Sequence, residues 1–177
     1  MIFSKVKEKI IFQLISYDKK PKAAKRTCPI SNIWIFAIIF EVYVGAELPE
    51  FGTITVTDAP LSRWGIDTET LIRASMQNTP RILPCSIINM AEFLAKKCPG
   101  YANQMRAVCD FDSLPMYILT NSRQTNGASA ILYPGVLSSL AKKLGGNMLL
   151  IPSSIHEFLV MPLDSDIDVC NLSEIHL

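Results

Sequence analysis

Met116–Leu163 reads MYILTNSRQTNGASAILYPGVLSSLAKKLGGNMLLIPSSIHEFLVMPL. MYILTN (Met116–Asn121) has the apolar, β-branched make-up of a strand. SRQTNG follows as a loop whose Asn126-Gly127 suits positive φ, and ASAILY (Ala128–Tyr133) is the returning strand. Pro134 opens PGVLSSLAKKLGG, in which Val136, Leu137, Leu140, Ala141 and Leu144 recur at helical spacing and Gly145 supplies the stop. NMLLIPSS and EFLVMPL are two further strands. The order is strand-strand-helix-strand-strand. Its first and last connections are shorter than the roughly dozen residues that a parallel crossover requires. The expected fold is therefore α+β, a mainly antiparallel sheet with helices packed on one face.

Upstream, KIIFQLISY (Lys9–Tyr17) reads as a strand or the last turns of a helix. KKPKAAKR (Lys19–Arg26) is a solvated basic loop, with Pro21 and Pro29 as breakers. IWIFAIIFEVYV (Ile33–Val44) falls short of the roughly 20 residues that span a bilayer and carries Glu41, so it reads as a buried strand. AELPEFG turns the chain into TITVTDA, where Thr53, Thr55 and Thr57 alternate with Ile54 and Val56. That is a half-buried strand, paired in an antiparallel hairpin. Pro60 sits in the first turn of a short helix ending at Gly65. Asp67 caps TETLIRASMQN, with Glu69 near its positive end and Leu71, Ile72, Ser75 and Met76 on one face. The residue before Pro80 resists helix, which places the end near Asn78. SIINMAEFLAKKC (Ser86–Cys98) is read as the next helix, stopped by Pro99-Gly100. Trp64 and Tyr133 are apolar anchors at element ends.

The chain has 177 residues, the size of one domain, expected to have a frayed or partly ordered start over 1–32 and a truncated tail over 164–177. Hydrophobic residues make up 49% and charged ones 19%, which excludes a disordered chain. With Lys+Arg 17 against Asp+Glu 16, no field draws nucleic acid or an anionic membrane, and neither is an expected partner. The five cysteines, at 28, 85, 98, 109 and 170, are odd in number and form no Cys-x-x-Cys pair. They read as reduced thiols in a cytoplasmic protein. A zinc site from Cys85, Cys98, Cys109 and His156 matches no common ligand spacing, and no metal or cofactor is expected. The N-terminus has no apolar core ending in a cleavage site.

Five stretches resemble a bacterial domain-of-unknown-function family common in anaerobic Gram-positive bacteria and their mobile elements. They are ITVTDAPLSRWGI (Ile54–Ile66), NTPRILP (Asn78–Pro84), MYILTN, NGASAILYPGVL (Asn126–Leu137) and LLIPSSIHEFLVMP (Leu149–Pro162). The resemblance spans Lys5 to about Asp168 and implies no assigned activity. It also implies a chain truncated at both ends, since such proteins carry a further upstream segment and a longer helical tail. Where the family has Pro-His-Arg and an Asp before the apolar strand, this chain has CPISNIWIFAIIF.

The polar core of that last stretch, Ser153-Ser154-Ile155-His156-Glu157, holds the residue types of a hydrolase: Ser154 as nucleophile, His156 as base, Glu157 as orienter. In an extended chain Ser154 and His156 face one side and Glu157 the other, and no Gly-x-Ser-x-Gly elbow exists. The alternative is a hairpin corner whose hydroxyls satisfy turn amides while His156 bonds a buried carbonyl or Asn121. A metal reading lacks a His-Glu-x-x-His, and the second histidine, His176, lies in the tail. DSDID (Asp164–Asp168) fails as a calcium loop at its sixth and twelfth positions, Val169 and Ile175. Asn121, Arg123 and Asn126 are candidate binders of a carboxylate or phosphate, although their loop precedes a strand and not a helix.

Three expectations result. The first is a non-enzymatic cytoplasmic module recognising a protein or small-molecule partner, which requires an exposed apolar patch or free sheet edge. The second is a hydrolase or metal-dependent enzyme on Ser154, His156 and Glu157, completed by Asn121 or Asn126, which requires a cleft containing His156. The third is an inert remnant of a longer gene.

Overall fold

IIFQLIS is apolar on both sides except for Gln13 and the terminal Ser16, and it forms β1 (Ile10–Ser16), with Ile10 through Leu14 all buried. The computed structural model describes residues 3–16, 36–45, 52–97, 100 and 115–163. A one-turn helix α1 (Phe3–Val6) and a 3-10 turn (Lys7–Lys9) lead into β1. β2 (Phe36–Tyr43) pairs antiparallel with β1, setting Phe12 opposite Phe40 and Gln13 opposite Ile39. β3 (Thr53–Thr55) pairs antiparallel with β2, completing a sheet of order β1-β2-β3. The expected hairpin is therefore present. Its turn falls largely outside the described residues, as does the basic loop of residues 19–26.

α2 (Asp58–Trp64) carries Pro60 in its first turn and stops at Gly65, whose φ of 65° a Cβ would resist. α3 (Thr68–Ile82) starts where the Asp67 carboxylate accepts the Thr70 amide at 2.8 Å. β4 (Cys85–Asn89), β5 (Tyr117–Asn121), β6 (Met148–Pro152) and β7 (Phe158–Pro162) form a second antiparallel sheet of order β4-β5-β7-β6. α4 (Met90–Lys97) follows β4, and α5 (Val136–Leu144) ends at Gly145 with φ 82°. The chain is α+β with antiparallel sheets, and the strands are divided between two sheets. Both contribute to one core: Phe12, Leu14, Phe40 and Val42 from the first, Leu119, Phe158 and Val160 from the second, with Leu71, Tyr133 and Leu140. Burying such side chains stabilises the fold by roughly 1.5–3 kcal/mol each. Among the described residues no helix is long and apolar enough to cross a membrane.

Three expectations are corrected. Ala128–Tyr133 is no returning strand: Gly127–Leu132 is a 3-10 helix. Both edges of β5 are already occupied, by β4 and β7, so a returning strand has nothing to pair with. Ser86–Cys98 is not one helix. Its first residues form β4, and α4 starts only after Asn89, whose Oδ1 accepts the amides of Ala91 (2.8 Å) and Glu92 (3.2 Å). Asn89 and Glu92, three apart, are an N-cap signature inside what reads as a continuous helix. α3 runs through Pro80 to Ile82. Tertiary bonds hold its last turn: Asn78 Nδ2 donates to the carbonyls of Lys7 and Ile10, and Arg81 donates to that of Glu8. These offset the backbone bond that Pro80 cannot make.

The same helix end clads the outer edge of β1. The Phe12 amide donates to Thr79 Oγ1 at 3.0 Å, and the Leu14 amide donates to Ser129 Oγ at 3.4 Å. Side chains thus satisfy donors that an edge strand otherwise leaves for another chain.

Candidate functional site

β5 ends at Asn121, which is fully buried. Its Oδ1 accepts the amides of Arg123 (3.0 Å) and Thr125 (3.4 Å), and its Nδ2 donates to the Thr125 carbonyl at 2.8 Å. Asn121 thereby folds its own loop, which bends through positive φ at Gln124 (54°) and Asn126 (50°). Non-glycine residues adopt this conformation uncommonly, and here the Asn121 bonds hold it. Arg123 lies exposed on this loop.

Asn126 joins three segments. Its amide donates to His156 Nδ1 at 3.0 Å, its Nδ2 to Gln13 Oε1 at 2.7 Å, and its carbonyl accepts Ser129 Oγ at 2.7 Å. Gly127 follows in closest approach. A Cβ there would overlap Thr120 Oγ1 and lie 2.6 Å from the Asn121 amide and 2.7 Å from the His156 carbonyl. The Thr120 hydroxyl donates to that same carbonyl at 2.7 Å.

The Ser-Ser-Ile-His-Glu segment is the connection between β6 and β7. Ser154 accepts the His156 amide on Oγ at 3.0 Å, and the Ser154 amide donates to the Glu157 carbonyl at 3.3 Å. The hydroxyls of Ser153 and Ser154 both donate to Glu157 Oε1 at 3.3 Å. The imidazole points away from this group, toward Asn126. Because Nδ1 accepts, a neutral ring carries its proton on Nε2, which has no partner among the described residues. Ser154 and Glu157 therefore meet each other directly. His156 meets Ser154 through its backbone only.

Glu157 and Ser153 also line a cleft of about 250 Å³ with Ile88, Met90, Phe93, Ile118, Thr120, Gln124 and Leu159. Strand register explains this lining. Ile88 pairs with Ile118, Ile118 with Leu159, and Leu159 with Ile151, one residue per strand on the face opposite the core. One row along, Ser86 pairs with Thr120, and one step beyond Pro152↔Phe158 stand Ser153 and Glu157. An apolar row runs beside a polar row, and α4 supplies a side wall through Met90 and Phe93. His156 is not part of the lining.

Of the candidates read from sequence, Asn126 and His156 are hydrogen-bonded to each other, Asn121 folds the loop that carries Asn126, and Ser154 and Glu157 lie in the adjoining turn. Gln13, Thr120, Gln124 and Ser129 enter the arrangement without having been singled out. Gln13 carried a signal, as the lone polar residue in IIFQLI. Among the described residues no group of three His, Cys, Asp or Glu could hold a metal ion. Cys85 is a free thiol packed against the core, and burial pushes its pKa up. Cys98, Cys109, His176 and the DSDID segment lie outside the described residues.

The family model described as "Family of unknown function (DUF5688)" matches residues 1–175. No curated protein matches the chain. No solved structure matches it either.

Proposed function

We propose a function for a chain that belongs to the DUF5688 family of unknown function: it is a non-enzymatic binding module that holds a small amphipathic ligand in the cleft on the outer face of the four-stranded sheet. One observation carries this. The in-register row Ile88, Ile118 and Leu159 forms an apolar floor that ends against Glu157, whose Oε1 takes two serine hydroxyls while Oε2 has no partner among the described residues. Apolar lining with a few convergent polar groups is the usual form of a small-ligand site. A carboxylate at one end selects a cationic or strongly donating head group, and the floor selects an aliphatic or aromatic body. Asn121, Asn126, His156 and Ser154 then serve as positioning residues, holding the Gln124 loop and the Glu157 turn at the cleft mouth. The proposed setting is the cytoplasm, supported by the odd cysteine count and the free Cys85 thiol.

The test is a pair of probes with one body and opposite heads, 4-phenylbutylamine and 4-phenylbutyrate, followed by methyl NMR. The amine is expected to shift the methyls of Ile88, Ile118 and Leu159 saturably, the acid to leave them unmoved, and Glu157→Gln to erase the difference. Equal weak shifts with both probes would overturn the proposal. A hydrolase would instead turn over p-nitrophenyl acetate, with the activity lost in Ser154→Ala. The expected rate is that of buffer alone.

A further inference from the structure

The three-stranded sheet has two edges, and the fold treats them differently. The outer amides of β1 are clad by Thr79 and Ser129. β3, at the other edge, has no such cover among the described residues. The Val56 amide donates to the Phe40 carbonyl at 2.8 Å, and the Val44 amide to the Gly52 carbonyl at 2.9 Å. With Ile54 opposite Val42, these residues are the hydrogen-bonded pairs of the β2–β3 ladder. The intervening residues, Thr53 and Thr55, therefore direct their N–H and C=O groups away from β2.

Beside that edge lies a groove of about 150 Å³ lined by Val42, Ile54, Val56, Pro60 and Trp64, with Arg63 and Thr55 at its margin. Ile54 is 53% exposed and Val44 38%, an apolar pair at an edge that no strand covers among the described residues. Arg63 is exposed and makes no ion pair among the described residues.

We infer that β3 and this groove are a docking site for an extended segment of another protein, which adds as a fourth strand beside β3, seats an apolar side chain against Ile54 and Trp64, and presents an acidic side chain to Arg63. Backbone pairing supplies the register, and residues two apart on the added strand face the groove together. Charge argues against a second copy as the occupant. Antiparallel pairing of β3 with itself about Ile54 brings two Arg63 side chains to the same interface, where like charges repel.

The probe is the heptapeptide acetyl-Thr-Val-Thr-Val-Thr-Glu-Thr-amide, with its Glu→Lys counterpart as control, titrated into the full chain. The expected result is a saturable shift and slowed exchange of the Thr53 and Thr55 amides. The Lys peptide is expected to bind about fivefold more weakly, the worth of one partly exposed ion pair. Arg63→Glu should reverse that preference, and Ile54→Lys should abolish binding by both peptides without lowering the melting temperature, since Ile54 is more than half exposed. Equal affinity for the two peptides would overturn the proposal, and so would unmoved Thr53 and Thr55 amides at millimolar peptide. Perturbation of those amides by protein concentration alone would overturn it in favour of self-pairing. The cleft probes serve as an internal control, because the two sites share no lining residue.

Discussion

Glu41 sits in the middle of β2 at 7% exposure, with Oε1 accepting the Thr55 hydroxyl at 3.5 Å and Oε2 buried without a hydrogen-bond partner among the described residues. Burial pushes its pKa above the ordinary 4.5, and the hydroxyls of Thr53 and Thr55 offset this only in part. The native state then holds more protons than the unfolded chain from pH 4.5 up to the raised value. Stability falls as pH rises through that window and stays lower above it. Glu41→Gln is expected to flatten that fall, raising the melting temperature at pH 7 and changing it little at pH 4. A variant curve parallel to the parent's between pH 4 and 7 would refute the assignment. At this scale the sequence was partly legible. The reading of Ile33–Val44 as a buried strand is met by β2, but nothing local announces that the Glu41 carboxylate is buried. The Asn126-Gly127 pair was read as a hairpin turn because both residues tolerate positive φ. Only Asn126 adopts it. Gly127 is there because the end of β5 (Thr120 and the Asn121 amide) and the His156 carbonyl close in on it and leave no room for a Cβ, a cause that no local pattern encodes.

α3 shows where local rules hold and where packing overrides them. The Asp67 cap and the Gly65 stop before it were both legible, because capping depends on a few adjacent residues. The helix end was not, because tertiary bonds through Asn78 and Arg81 carry it past Pro80. Thr79 makes the most telling of these contacts, donating to the Ser75 carbonyl at 2.6 Å and accepting the Phe12 amide at 3.0 Å. Thr79→Val keeps the shape and leaves a buried amide unpaired, a loss of about 2 kcal/mol. Chemical denaturation measures it, and Thr79→Ser is expected to restore most of the stability. If Val and Ser variants are equally stable, the hydroxyl is not what closes the edge of β1. The helix read across β4 and α4 failed differently. Ile87 and the run after Asn89 fit one helical stripe, and pairing with β5 together with the Asn89 cap separates them.

Across the whole molecule the antiparallel α+β class was legible from short connections, whereas the division into two sheets was not, because it depends on which strands meet. β5 lies between β4 and β7, and β1 and β2 pair apart from both. The sheets nevertheless share one hydrophobic cluster. A shared core is expected to melt as a unit, so far-UV circular dichroism and tryptophan fluorescence should give coincident denaturation curves. Separate midpoints would mean that each sheet stands alone. The cladding of β1 has a further consequence during synthesis. The hydroxyl that takes the Leu14 amide belongs to a residue 115 positions later in the chain. At roughly 5–20 residues per second, a ribosome delivers that residue about 6–23 s after β1. The Phe12 amide on the same edge waits less, since its Thr79 partner follows only 67 positions on, so the edge of this almost wholly apolar strand closes in two steps, the Leu14 end last.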